Sequence, residues 1–263
     1  MMFNIVDSID YETLIAIKGE PITIMGVYAH ALHLKVNDVL LTLGFNIGSS
    51  KHHINLTSNV DFKSLNIDSD SSVIISLENI MIDHYICLIN QNSFMHYTPF
   101  NQIFQTSKKT LELIDDVKSY LKNNHSKNLF HFDQNNPIDT FLFDRIDSFL
   151  SNPNIVTAKN ILGLGEGLTP LGDDIILGYV MGKLVIDQVP DWFDDVLLAA
   201  KKQTTYLSYQ NLIDIYHRFY AEPFIEMIKG FFETYYLNSI TDVAKIGHTS
   251  GAGIITGFIH AII

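Results

Sequence analysis

Short apolar runs separated by turn residues fill the first hundred positions, at 22–27, 39–43 and 73–77. Runs of that length, bounded by Gly, Asn, Asp and Ser, read as strands. Between them, 49–72 is polar and reads as a long loop carrying a short strand around Ile54 to Leu56. From about Thr106 the spacing changes: Leu111, Ile114, Val117 and Leu121 recur at intervals of three and four, one face of a helix. A second polar stretch, 122–136, precedes Pro137, which opens another helical pattern through Phe141, Ile146 and Leu150. Further helices are predicted over 173–186, 191–206 and 222–236, and from Ala252 onward. The fold class expected is α+β, with a β-rich N-terminal domain at 1–104 and an all-helical C-terminal domain at 105–263 that carries two glycine-rich loops.

Composition narrows the function. Hydrophobic residues make up 47% of the chain and charged residues 17%, enough apolar surface to build a core. A net charge of −12 with no Lys/Arg stripe argues against a nucleic-acid partner. Cys87 is the only cysteine and lies in an apolar run, which reads as core packing. The early residues are acidic and lack the basic start and long apolar stretch of a signal peptide, and the apolar run 254–263 is too short to span a bilayer. A cytoplasmic protein without a membrane span is the expectation.

The strongest local signal is 163–174, where Gly163, Gly165, Gly167 and Gly172 are interleaved with Thr169 and Pro170 and followed by Asp173 and Asp174. Four glycines in ten residues ask for unusual dihedrals or close backbone approach. Leu168 breaks the dinucleotide pattern G-x-G-x-x-G, and no Lys-Ser or Lys-Thr follows as in a Walker loop. What remains is a helix N-terminus, with Thr169 as N-cap, Pro170 as first helical residue, and free N–H groups that attract anions. The adjacent carboxylates repel a phosphate unless a metal or a ligand's N–H groups intervene; they equally fit a role as helix-stabilising residues.

The second loop joins Gly247, His248, Thr249, Ser250, Gly251 and Gly253. A serine-hydrolase elbow would need glycines two before and two after Ser250, where His248 and Ala252 stand. His248 remains a candidate acid, base or donor beside a structural alternative. Behind the loops, Gly178 and Gly182 in one helix, and Gly253, Gly257 and Ala261 in the other, form small faces. Each mid-helix glycine costs roughly 0.5–1 kcal/mol against alanine. If those faces meet with the helices parallel, both loops share one site.

Other polar candidates are Thr204, Thr205 and Ser208, and Glu222 with Pro223. Arg145 and Arg218 are the only arginines, so a bidentate clamp on an anion must use one of them. His30 and His33 have a metal-like spacing, but no third ligand is persuasively placed.

These motifs resemble the AllH-like family, named for a subunit of oxamate carbamoyltransferase. The matching pieces are Gly163, Gly165, Gly167, Thr169, Pro170, Gly172, Asp173 and Asp174, then Thr204, Thr205 and Ser208, then Glu222 and Pro223, then Gly247, His248, Ser250 and Gly251. Glu166 and Leu171 depart from the pattern. The resemblance implies carbamoyl transfer between carbamoyl phosphate and oxamate, with oxalurate as the carbamoylated partner, in allantoin and purine catabolism. It further implies an assembly with other carbamoyltransferase subunits and a small anionic substrate. Asp173, Asp174, His248 and Ser250 are then the catalytic candidates. Gly163, Gly165, Gly167, Thr169, Gly172, Thr204, Thr205, Ser208, Gly247, Thr249 and Gly251 are the substrate-binding candidates. Asp173 and Asp174 could hold a divalent metal. The competing reading is a non-catalytic ligand-binding or assembly subunit of a multi-protein enzyme.

Overall fold

A computed structural model of the chain describes residues 2–47, 49–124 and 136–263, so most of the polar stretch 122–136 lies outside the described residues. The chain divides into two compact units, Met1–Thr98 and Pro99–Ile263.

The first unit is β-rich, as expected. Its strands are β1 (Met2–Asp10), β2 (Ile22–Val27), β3 (Ala31–Val36), β4 (Val39–Phe45), β5 (His53–Leu56), β6 (Val73–Ile75), β7 (Asn79–Ile82), β8 (Tyr85–Leu88) and β9 (Phe94–Met95). They form one sheet in the order β2-β3-β4-β5-β1-β8-β7-β6, with β9 also beside β1. The sheet curls until β2 and β6 lie together, which makes it barrel-like. Leu32, Leu34, Leu41, Leu43, Ile54, Phe62, Ile80 and Cys87 fill its interior, and burial pushes the Cys87 thiol up to about 12. A short helix, α1 (Tyr11–Ile17), follows β1 and is capped by Asp10, which accepts the Thr13 N–H at 2.8 Å.

Sequence spacing missed β1 because its buried positions include Asn4, Ser8 and Asp10. Each has a partner; Asn4, for example, donates to the Ser58 carbonyl at 3.1 Å and accepts from the Ser58 hydroxyl at 3.1 Å. Buried polar groups with partners cost little, yet they erase the apolar run that signals a strand.

His33 lies buried against the Tyr28 ring, centroids 5.0 Å apart. Burial first, and the nearby His53 second, hold its pKa below 6.5. A base whose folded pKa is depressed stabilises the fold above its unfolded pKa and loses that contribution as pH falls through it. Melting temperature is therefore expected to drop as pH is lowered below about 6.5, and His33→Gln should flatten that slope. An unchanged slope in thermal melts of the variant would exclude His33 as the cause.

The second unit is helical. Its members are α2 (Lys108–Asn124), α3 (Pro137–Ser151), α4 (Ile155–Ile161), α5 (Leu171–Val185), α6 (Phe193–Gln203), α7 (Tyr206–Tyr216), α8 (Glu222–Lys229), α9 (Leu237–Ala244) and α10 (Ser250–Ile262). The helix expected over 191–206 is two helices. Gln203 ends α6, Thr204 is extended, and Thr205 caps α7 by accepting the Ser208 N–H at 3.1 Å. A β-branched Thr-Thr pair favours this break, because the second hydroxyl supplies a cap that a continuous helix would waste. The helix predicted over 222–236 stops at Lys229 and runs on as a π-helical turn, Gly230–Thr234, before Tyr235 turns left-handed at φ 52°. Among the described residues, no helix is long and apolar enough to cross a membrane.

Candidate functional site

At the centre of the helical unit, α5 and α10 are in intimate contact. Every residue of α5 except Lys183 is buried, so the helix is apolar all round and must be covered on all sides. Gly253 faces Leu171 and Asp174, Gly178 faces Ile254, Gly257 faces Ile175 and Tyr179, and Gly182 faces Phe258 and Ala261. These contacts advance together along both helices, so α5 and α10 run parallel and their N-termini lie at one end. A Cβ at Gly178 would fall on the Ile254 carbonyl oxygen, and one at Gly257 would stand 2.7 Å from the Tyr179 nitrogen. The small faces let the two backbones touch.

Because the helices are parallel, the two glycine loops meet. Thr169 Oγ1 and Ser250 Oγ are hydrogen-bonded at 2.7 Å and join them directly. The Thr205 hydroxyl donates to the Leu168 carbonyl at 2.5 Å, fastening the first loop to α7. Gly163, Gly165, Gly167 and Gly247 take positive φ. At Gly163 the requirement is twofold: φ is +73°, and a Cβ would fall on the Gln203 carbonyl oxygen.

Asp173 and Asp174 sit in the first turn of α5, both almost fully buried. Asp173 Oδ1 accepts the Gly163 N–H at 2.7 Å and Oδ2 accepts the Thr204 hydroxyl. Ser208 is buried with no hydrogen bond of normal geometry through its hydroxyl, yet it stands near enough to Asp173 to favour the ionised carboxylate. Burial outweighs these donors and raises the Asp173 pKa. Asp174 Oδ2 is buried without a partner. Burial lifts the Asp174 pKa well above the carboxylate range; the Ser250 hydroxyl opposes the rise and the charge of Asp173 adds to it. Two adjacent carboxyls are thus made unequal. Asp173 has both oxygens engaged within the protein, while Asp174 Oδ2 has no partner and its raised pKa makes its ionised form the stronger base.

Several sequence expectations need correction. Pro170, not Thr169, is the N-cap residue, and Leu171 opens α5. Thr169 is drawn away by Ser250, and proline offers no side-chain cap. Three of the N–H groups expected to be free for an anion are in use: Gly172 donates to Leu164 O at 2.8 Å, and Asp173 and Asp174 both donate to Pro170 O. On the second loop, Gly251 donates to Ile246 O at 3.0 Å. Gly251 also packs on Val243, while His248 is exposed, and Thr249 is the N-cap residue of α10 without a side-chain bond. Arg145 bonds the Asn160 carbonyl at 3.4 Å and lies over the Phe141 ring, and Arg218 follows the far end of α7.

As a metal centre the site is thin. Two carboxyls are available, one already saturated by protein donors, and among the described residues no three His, Cys, Asp or Glu side chains converge on one point.

Residues 161–262 match the family described as oxamate carbamoyltransferase subunit AllH. This part of the chain is AllH-like. The AllH-like segment starts at the last residue of α4 and ends at the last residue of α10, so it takes in both loops, both aspartates and the parallel helix pair. No curated protein and no solved structure matches the chain. Within the AllH-like segment, the Thr204–Asp173 bond was not legible from spacing, because it joins positions in separate elements. The clustering of hydroxyl residues at a helix break was its only local signal.

Proposed function

We propose that this chain is a subunit of an oxamate carbamoyltransferase assembly, moving a carbamoyl group between carbamoyl phosphate and oxamate. The observation that carries the reading is that the AllH-like segment holds both buried carboxyls, the hydroxyls of Thr169, Thr204 and Ser250, and both glycine loops. In the forward transfer, the oxamate amide nitrogen bonds to the carbamoyl carbon, the carbon–oxygen bond to phosphate breaks, and one amide proton is lost. An amide is a weak nucleophile, so a group that takes this proton as the new bond forms lowers the barrier. Asp174 is that group in our reading, since its Oδ2 is the unengaged carboxyl oxygen. In the reverse direction its protonated form returns the proton to nitrogen. Ser250, tied to Thr169, is the donor to the carbonyl oxygen as charge builds there. Asp173 is a positioning residue that holds Gly163, Thr204 and the start of α7 in register.

The occupied oxygens of Asp173 also favour a second reading, in which the site holds a ligand while chemistry resides on another subunit. One experiment separates them: phosphate release from carbamoyl phosphate plus oxamate is measured with this chain alone, then with the proteins encoded beside it. Turnover that requires this chain and falls sharply with Asp174→Asn supports the catalytic reading. Full turnover with that variant, together with retained ligand binding, supports the ligand-holding one. Neither turnover nor binding in any combination removes the proposal.

Asp173→Asn gives a finer division. Asn Oδ1 can still accept the Gly163 N–H, so the fold should persist and transfer should fall by about tenfold. A loss as large as that of Asp174→Asn in steady-state assays would return Asp173 to direct participation.

A further inference from the structure

We infer that Arg218 and Tyr220 form a second site, separate from the aspartate pair, that takes a small oxyanion such as a carboxylate or inorganic phosphate. Two buried polar atoms carry the argument. Arg218 Nη1 and Tyr220 Oη are each enclosed without a hydrogen-bond partner, and Tyr220 is only 3% exposed. The two side chains are close enough for the guanidinium charge to act on the phenol. Among the described residues no carboxylate forms an ion pair with Arg218, in a chain whose acidic residues outnumber basic ones 29 to 17. A guanidinium cannot shed its proton, so an unpaired buried N–H is a persistent cost. Both groups can donate, and what satisfies two unpartnered donors two residues apart, one of them charged, is an anionic oxygen.

The backbone points the same way. Phe219 N–H donates to Asp214 O at 2.8 Å and Arg218 N–H to Ile215 O at 2.9 Å, the Schellman closure of α7. Its left-handed position, usually glycine, is occupied by Arg218 at φ 61°. An arginine there carries a backbone cost of about 1 kcal/mol that glycine would avoid, and the side chain it delivers is the one left unpaired. Around the pair, Phe100 donates its N–H to Arg218 O at 2.8 Å and sets its ring 5.7 Å from Tyr220, making an apolar wall that strengthens a charged hydrogen bond. Ser208, beside Asp173, and Arg218 lie near opposite ends of α7, roughly 15 Å apart along its axis.

The test uses the intact protein and the fact that Arg145 and Arg218 are its only arginines. In 15N-labelled protein two Arg Nε–Hε resonances are expected, assigned with Arg145→Lys. At constant ionic strength, titration with acetate, oxalate or phosphate should move the Arg218 resonance with saturation in the millimolar range and leave Arg145 nearly still. The more responsive series identifies the oxyanion class. Tyr220→Phe, which removes one hydroxyl, should weaken the midpoint at least threefold, and Asp174→Asn should leave it unchanged. An Arg218 resonance that does not move, or that moves in parallel with Arg145, overturns the proposal, as does an unaltered midpoint in Tyr220→Phe. None of these readings requires carbamoyl transfer.

Discussion

Gly257→Ala is expected to destabilise the helical unit severely, although intrinsic propensity predicts the reverse. Alanine in the middle of a helix gains about 1 kcal/mol over glycine. At Gly257, however, the added methyl would fall on the Ile175 carbonyl oxygen and within 2.7 Å of the Tyr179 nitrogen. Both are backbone atoms of a buried helix, so no rotamer change relieves the clash and α5 and α10 must move apart. Overpacking of this kind costs roughly 3 kcal/mol or more. At about 2–4 °C per kcal/mol, the melting temperature should fall by about 6 °C or more. Gly167→Ala is the control, because nothing lies within 4 Å of its Cβ and only its φ of +92° is strained; about 1 kcal/mol is expected there. Calorimetry that found Gly257→Ala as stable as the parent would contradict the parallel packing on which the shared site depends.

Asp174→Asn is expected to raise stability while nearly abolishing transfer. Burial lifts the Asp174 pKa well above 3.8, so the unfolded chain ionises this group where the folded one resists. A carboxyl whose folded pKa is raised contributes stability below its unfolded pKa, and that contribution is lost as pH rises through the folded pKa. Asparagine never ionises and is free of the loss. The variant should therefore melt higher at pH 7, with the advantage shrinking toward pH 4. Removing a proton-transfer group costs roughly 10²–10⁴-fold in rate. Matched melting curves at pH 4 and pH 7, with transfer assays on the assembled enzyme, read both effects. A variant that is active and no more stable at either pH would show that Asp174 neither ionises at a cost nor handles a proton.

Much of the fold was legible because it follows from local rules. The strand at 22–27 coincides with β2, and Ile114, Val117 and Leu121 of the expected helical period lie on the buried face of α2, whereas Leu111 is exposed and Leu113 takes the inward place. The small residues at 178, 182, 253, 257 and 261 lie where α5 and α10 meet. What escaped were places where a polar side chain satisfies a distant partner. In β1, Asn4 and Asp10 bond residues about 54 and 87 positions away, and the strand loses its apolar signature. At Thr169, sequence suggested a helix cap, but the hydroxyl is taken by Ser250, 81 residues on. Such bonds are settled by tertiary packing, which neither periodicity nor capping preference encodes.

The parallel contact of α5 and α10 also bears on how the protein folds. Parallel helices cannot be joined by a tight turn, so this pair is closed over a long intervening chain that includes α6 to α9. Such non-local closure slows folding, since loop entropy is lost before the contact rewards it. Until α10 docks, α5 exposes an apolar flank with two carboxyls at its head, the kind of surface that invites misassociation during synthesis. Assembly of the site therefore waits on the closure of that long connection, since neither loop is complete until α10 docks on α5.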